Sequence, residues 1–226
     1  FIEAALAAGA GAYLTTGKTF GRTSITVPDT LAALLQLGAW GRNKLGTQID
    51  KRVVGITGSV GKTSTKDFIA AALGSTLRVV ANERSFNNDQ GLPVTILNAR
   101  DDVEALVLEM GMRGFGEISR LCSIARPNIG VVTRVASAHT ERVGDIDGVA
   151  RAKSELVMAL DASGFAVLNA DDQRVVAMRS LTDAIVITYG ASSSADARMT
   201  SCVLDERACA AVSIESPWGK ASWKMN

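Results

Sequence analysis

Residues 53–68 read VVGITGSVGKTSTKDF, an apolar strand that passes through a glycine-rich turn into a helical pattern. A strand, loop and helix in that order can cradle a phosphate, because successive backbone N–H groups and the helix N-terminus face the anion together. Thr57 and Gly58 stand where the turn begins, Ser59, Val60 and Gly61 complete it, and Ser64 falls in the first helical turn. Lys62 can reach terminal phosphates, and the Thr63 hydroxyl can ligate Mg2+. The usual pattern has a glycine where Ile56 stands, which narrows the type of loop without abolishing it. The alternative is an ordinary glycine turn with Lys62 solvated, and GKT between a strand and a helix argues against it.

Other candidates cluster at the ends of apolar runs. ALVLEMGMRGFGEI places Glu109 at a strand end, followed by Gly111, Gly114 and Gly116. In an open parallel sheet, ligands collect beyond the carboxyl ends of the strands, where a carboxylate offers hard oxygens to Mg2+. A strand-end carboxylate capping a loop is the equal alternative. His139, the sole histidine, also follows a strand; a lone histidine is more often structural. Lys153 and Glu155 sit in the amphipathic stretch VARAKSELVMAL and read as solvated face residues. Asn87 and Asn88 suit sugar, phosphate or peptide groups, yet adjacent asparagines also favour turns. Asn169-Ala170-Asp171-Asp172 ends a strand and could cap the next helix.

These residues need a scaffold. Short apolar runs (RVVGIT, LRVVA, ALVLEM, IGVVT, FAVLN, AIVITY) alternate with helical stretches from residue 52 to about 189. Strands buried on both faces and separated by helices imply an α/β fold: a parallel sheet flanked by helices. Beyond it, MTSCVLD, ACAAVSIES and ASWKM alternate as an antiparallel strand extension. Residues 1–49 form a small α+β unit whose helix from Pro28 loosens at GAWGRNK, and LGTQIDK reads as a linker. The 226 residues carry a net charge of +1 and are 47% hydrophobic, a globular composition with no pull towards nucleic acid. Three scattered cysteines form neither a metal pattern nor a disulfide framework. No apolar run reaches the roughly 18 residues of a membrane span. The chain opens on a helical pattern at Phe1 and stops at Asn226 after strand and turn, so a piece of a longer protein is expected.

Taken in order, TGSVGKTST, NN-x-x-GLP, EMG, a strand leading to Ala-His, AK-x-EL and LNADD resemble the Mur ligases. These are ATP-dependent amide-bond formers of bacterial peptidoglycan precursor synthesis. GKTSTKD, FNN before GLP and EMGMRGFGEI are most similar to the member that joins D-alanyl-D-alanine to UDP-N-acetylmuramoyl-tripeptide. The resemblance runs to about Tyr189. It implies a P-loop mononucleotide-binding sheet over 50–226, incomplete at its end, and an N-terminal remnant of a UDP-substrate-binding domain over 1–49. It also implies ATP and Mg2+ as cofactors, a cytoplasmic monomer, and no turnover by this stretch alone. ATP would contact Thr57, Gly58, Ser59, Val60, Gly61, Lys62, Thr63 and Ser64. Thr63, Glu109, His139 and Lys153 as its carbamate would serve the metal sites, with Lys62, His139 and Lys153 catalytic and Asn87 and Asn88 on the muramoyl substrate. A carbamate makes physical sense, since an ammonium repels Mg2+ and a carbamate supplies anionic oxygens.

Departures accompany the likeness. Arg134 and Ala136 stand where Asn and Gly are usual, and Asp89-Gln90 replaces Glu-Ile. A sibling Mur step, a folylpolyglutamate synthase-like ligase, or a P-loop module without catalysis are the rival expectations.

Overall fold

The computed structural model describes residues 2–19, 23–83, 86–137 and 140–224. The N-terminal unit comprises α1 (Ile2–Ala7), the strands β1 (Ala12–Thr15) and β2 (Thr23–Thr26), which pair in parallel, and α2 (Thr30–Lys44). Asp29 starts α2 by accepting the N–H groups of Leu31 and Ala32, a side-chain N-cap. Then follow β3 (Val53–Thr57), α3 (Lys62–Gly74), β4 (Val79–Ala81), α4 (Gly91–Leu97), β5 (Ala105–Glu109) and α5 (Glu117–Ala125). The chain continues through β6 (Ile129–Val132), α6 (Thr140–Val143), α7 (Ile146–Met158), β7 (Phe165–Asn169), α8 (Gln173–Ala177) and β8 (Ile185–Gly190). It closes on β9 (Ala197–Leu204), β10 (Ala210–Ser216) and β11 (Gly219–Lys224).

One sheet has the order β11-β10-β9-β8-β7-β6-β3-β5-β4. Every pairing from β4 to β8 is parallel, and β9–β10 and β10–β11 are antiparallel. The expected parallel sheet with an antiparallel extension is therefore present. Each residue of β3 and β5 is buried, as strands covered on both faces require. One face packs Val54, Ile56, Val107 and Val131 under Ile69 and Leu73 of α3. The other carries the main core, with α4, α5 and α7 over Leu106, Leu108 and Val132. β3 lies between β5 and β6, so the chain leaves β3 on one side and later crosses to the other. That reversal opens a crevice at the strands' carboxyl ends.

The N-terminal unit corrects two expectations. Helix α2 does not loosen at its glycines; it runs on to Lys44. A Cβ at Gly38 would lie 2.7 Å from the Pro93 Cβ, and one at Gly41 would lie 3.0 Å from Leu97. The glycines let α2 lie against α4. Residues 45–51 are not a free linker either: Leu45 and Ile49 are buried in the main core, and a short helical turn spans Thr47–Ile49. Arg42, also buried, donates to the Ala125 carbonyl and pairs with Asp50, each at 2.9 Å. Gly38→Val should destabilise the protein by about 2 kcal/mol through overpacking, more than the gain in helix propensity of about 0.5 kcal/mol. Chemical denaturation of the variant checks this.

Candidate active site

The loop between β3 and α3 is pinned from both neighbouring strands. Thr57 Oγ1 donates to the Met110 carbonyl beyond β5 at 2.9 Å. From beyond β6, Thr133 Oγ1 donates to the Val60 carbonyl at 2.7 Å. Gly58 has φ +149°, and a Cβ there would fall 1.9 Å from Thr133 Oγ1; only glycine fits. Gly61, at φ +85°, turns the chain into α3 without a side-chain cap, which leaves the first helical N–H groups to face an anion. Ser59 is committed internally. Its N–H donates to the Arg134 carbonyl at 2.7 Å, and its hydroxyl bridges the backbone of Ala136. The Ile56 departure now has a cause: that side chain is fully buried in the core beneath α3, where a glycine would leave a cavity.

Beside the loop, Glu109 ends β5 and is 3% exposed. Its Oε2 accepts from Thr63 Oγ1 at 2.8 Å, and its Oε1 accepts from Asn87 Nδ2 at 2.7 Å. The structure thus joins three of the residues singled out in sequence. A hydroxyl and a carboxylate are the hard oxygens Mg2+ prefers, and Mg2+ keeps waters and phosphate oxygens for its other positions. The donor set fits such an ion. Among the described residues no group of three or more His, Cys, Asp or Glu gathers as an all-protein cage. Gly111 owes its identity to Asn87, whose Oδ1 would lie 2.9 Å from a Cβ there. Asn88 follows the turn reading, since its Oδ1 accepts the N–H groups of Gln90 and Gly91 at the start of α4.

Lys153 departs from the surface reading. It is 3% exposed, and burial, with the Lys62 charge as a second cause, brings its ammonium down from an ordinary 10.5 to about 8. Lys62, Asn87, Asn88, Arg113, Arg142 and Lys153 border one cleft of about 610 Å3 over the loop. A second groove, of about 730 Å3, lies between α5 and α7 near Arg42 and Arg126, away from this chemistry. Glu155 is not plain either: its two oxygens accept from Gly116 N and Ser119 N at 2.7 and 2.9 Å and so fix the start of α5. Asp172 caps α8 as expected and also accepts from Val135 N at 2.8 Å. Asn169 Nδ2 donates to the Thr133 carbonyl at 2.7 Å, steadying the segment that pins Ser59. Asp89 pairs with Arg120 of α5, so that departure is matched by a partner, and Arg134 is exposed. His139 lies outside the described residues. Lys66 was missed in sequence, although it stands four residues after Lys62 on the same helical face.

A phosphate loop ahead of α3, a carboxylate on the adjacent strand end and a polar cleft above them define a mononucleotide-binding α/β domain. The chain belongs to the Mur ligase family, whose middle domain is matched by residues 56–226; members of this family are ATP-dependent ligases. The chain is 40% identical over 156 residues to the UDP-N-acetylmuramoyl-tripeptide--D-alanyl-D-alanine ligase of Mycobacterium tuberculosis, covering 69% of this chain and 31% of that protein. It is similar to the crystal structure of MurF from Acinetobacter baumannii (TM-score 0.88, 26% identity, 99% of this chain and 48% of that one). The MurF ligase of Thermotoga maritima in complex with ADP is likewise similar (TM-score 0.83, 30% identity, 99% and 51%). The chain therefore spans under a third of that curated relative and about half of these solved structures.

Proposed function

We propose that this chain is the nucleotide-binding part of a ligase that adds D-alanyl-D-alanine to UDP-N-acetylmuramoyl-tripeptide in the bacterial cytoplasm. Residues 1–49 would be the end of a UDP-substrate-binding domain and residues 50–226 the central ATP-binding domain. One observation carries the reading: the Thr63–Glu109 contact at 2.8 Å lies directly beside Lys62, at a cleft that Asn87 and Lys153 also border. Among the described residues no helix is long and apolar enough to cross a membrane.

The proposed chemistry is the two-step amide ligation that the likeness to the Mur ligases implies. An oxygen of the tripeptide's terminal carboxylate attacks the γ-phosphorus of ATP, and ADP leaves. The amine of D-alanyl-D-alanine then attacks the acyl carbon, inorganic phosphate leaves, and the amine proton passes to solvent. Lys62 and the N–H groups at the start of α3 neutralise charge on the transferring phosphoryl group, a task of positioning and electrostatics. Thr63 and Glu109 would hold Mg2+, whose positive charge would offset that of the phosphates. Lys153 is suited to carbamate formation: its neutral amine bonds to the carbon of CO2 and releases one proton. An ammonium at about 8 keeps roughly a tenth of the amine neutral at pH 7, far more than an ordinary lysine.

The test is substrate-dependent phosphate release by the full-length protein. D-alanyl-D-alanine should stimulate ATP hydrolysis only with the muramoyl tripeptide present. Stimulation by glutamate on a folate substrate, or by the amine of another Mur step, would replace this reading. The 226-residue stretch alone should bind nucleotide weakly and not turn over.

A further inference from the structure

We infer that Asn82 is a positioning residue for the proposed reaction: it holds Glu109 in register with Thr63 by tying the ends of β4 and β5 to α3 and to the Asn87 loop. The inference rests on reading Thr63 and Glu109 as the divalent-cation site. Asn82 follows β4 directly and is fully buried. The β4–β5 ladder stops at Ala81 opposite Val107, two residues short of Glu109. The Asn82 side chain supplies what a longer strand would have given. Its Oδ1 accepts from Glu109 N at 2.8 Å, and its Nδ2 donates to the Glu109 carbonyl at 3.0 Å.

The same Nδ2 donates to the Phe86 carbonyl at 2.9 Å. Phe86 precedes Asn87, whose amide in turn holds Glu109 Oε1. Asn82 thereby sets both the backbone of Glu109 and the loop that orients its carboxylate. A third tie runs through the main chain. The buried Lys66 ammonium on α3 donates to the Asn82 carbonyl at 2.8 Å, so the helix bearing Thr63 is referenced to the same residue. A carboxamide is the group this geometry needs, with an acceptor for one N–H and a two-proton donor for two carbonyls. Alanine would leave the Glu109 N–H and carbonyl buried without the Asn82 partner. Partners one shell outside a metal site typically change metal affinity by about 10–100-fold when removed.

The experiment uses the full-length protein with Mn2+ in place of Mg2+, read by electron paramagnetic resonance in the presence of ADP. Asn82→Ala should weaken Mn2+ binding by at least about tenfold and lower kcat in step, with KM for D-alanyl-D-alanine unchanged. Asn82→Thr keeps one hydroxyl for Glu109 N and should lie between wild type and Asn82→Ala; it decides the question if the alanine variant does not fold. Wild-type Mn2+ affinity in a folded Asn82 variant overturns the inference, as does a rate loss that only tracks the folded fraction. Glu109→Ala separates the two levels. Unchanged Mn2+ binding in that variant defeats the site reading itself, whereas weakened binding there with normal Asn82 variants defeats only the role of Asn82.

Discussion

Lys62→Ala in the full-length protein should lower D-alanyl-D-alanine-dependent phosphate release by about a thousandfold, the upper range for removing one preorganised charge from a developing oxyanion. Lys62 opens α3 and borders the cleft beside the Thr63–Glu109 contact. The half-buried side chain makes no ion pair among the described residues, so stability should change by less than about 0.5 kcal/mol. A second signature follows from electrostatics. The Lys62 charge is one cause of the lowered Lys153 ammonium, so Lys153 should titrate higher in the variant. Activity near wild type in folded Lys62→Ala protein would remove the loop from the mechanism.

Lys153→Met should abolish ligation and, in the absence of ligands, stabilise the fold at neutral pH. The sign follows from burial. The unfolded chain holds this proton up to about 10.5 and the folded chain only to about 8. Below pH 8 the wild type therefore carries the full cost of a buried ammonium, about 3 kcal/mol at most. Between pH 8 and 10.5 the unfolded state binds more protons, so wild-type stability rises with pH. Above that range the cost is gone. The difference between variant and wild type, measured by denaturation across this window, isolates the group from other titrations. Wild-type protein with isotope-labelled bicarbonate should also show a carbamate signal by NMR that Lys153→Met lacks. A pH-independent difference would show that the lysine is not held against its charge.

Much of the candidate site was legible because its signals are local. Gly58, Gly61, Lys62 and Thr63 lie within six consecutive residues, and Glu109 closes an apolar run of strand length. Their meaning depends on backbone conformation and strand ends, which short patterns specify. Asn87 and Asn88 show where such reading stops. Identical neighbours divide the work, one amide holding Glu109 and the other capping α4, because only the folded loop decides which side chain faces the strand end. Glu155 and Asn82 carried no local signal, since Glu155 meets N–H groups 39 and 36 residues away and Asn82 meets Glu109 27 residues away.

The amino-acid sequence by itself determined the α/β class, the alternation that puts the glycine-rich loop after β3, and the residue types suited to a phosphate and a hard cation. Tertiary structure alone decided that Ile56 belongs to the core under α3, and that the glycines of α2 are contact points. It also decided that Lys153 is buried beside Lys62 and that Asn82 extends the β4–β5 ladder to Glu109. The physical reason is the same throughout. Phosphate loops and strand ends are set by backbone geometry over a few residues, whereas burial and shared hydrogen bonds arise only when distant elements pack.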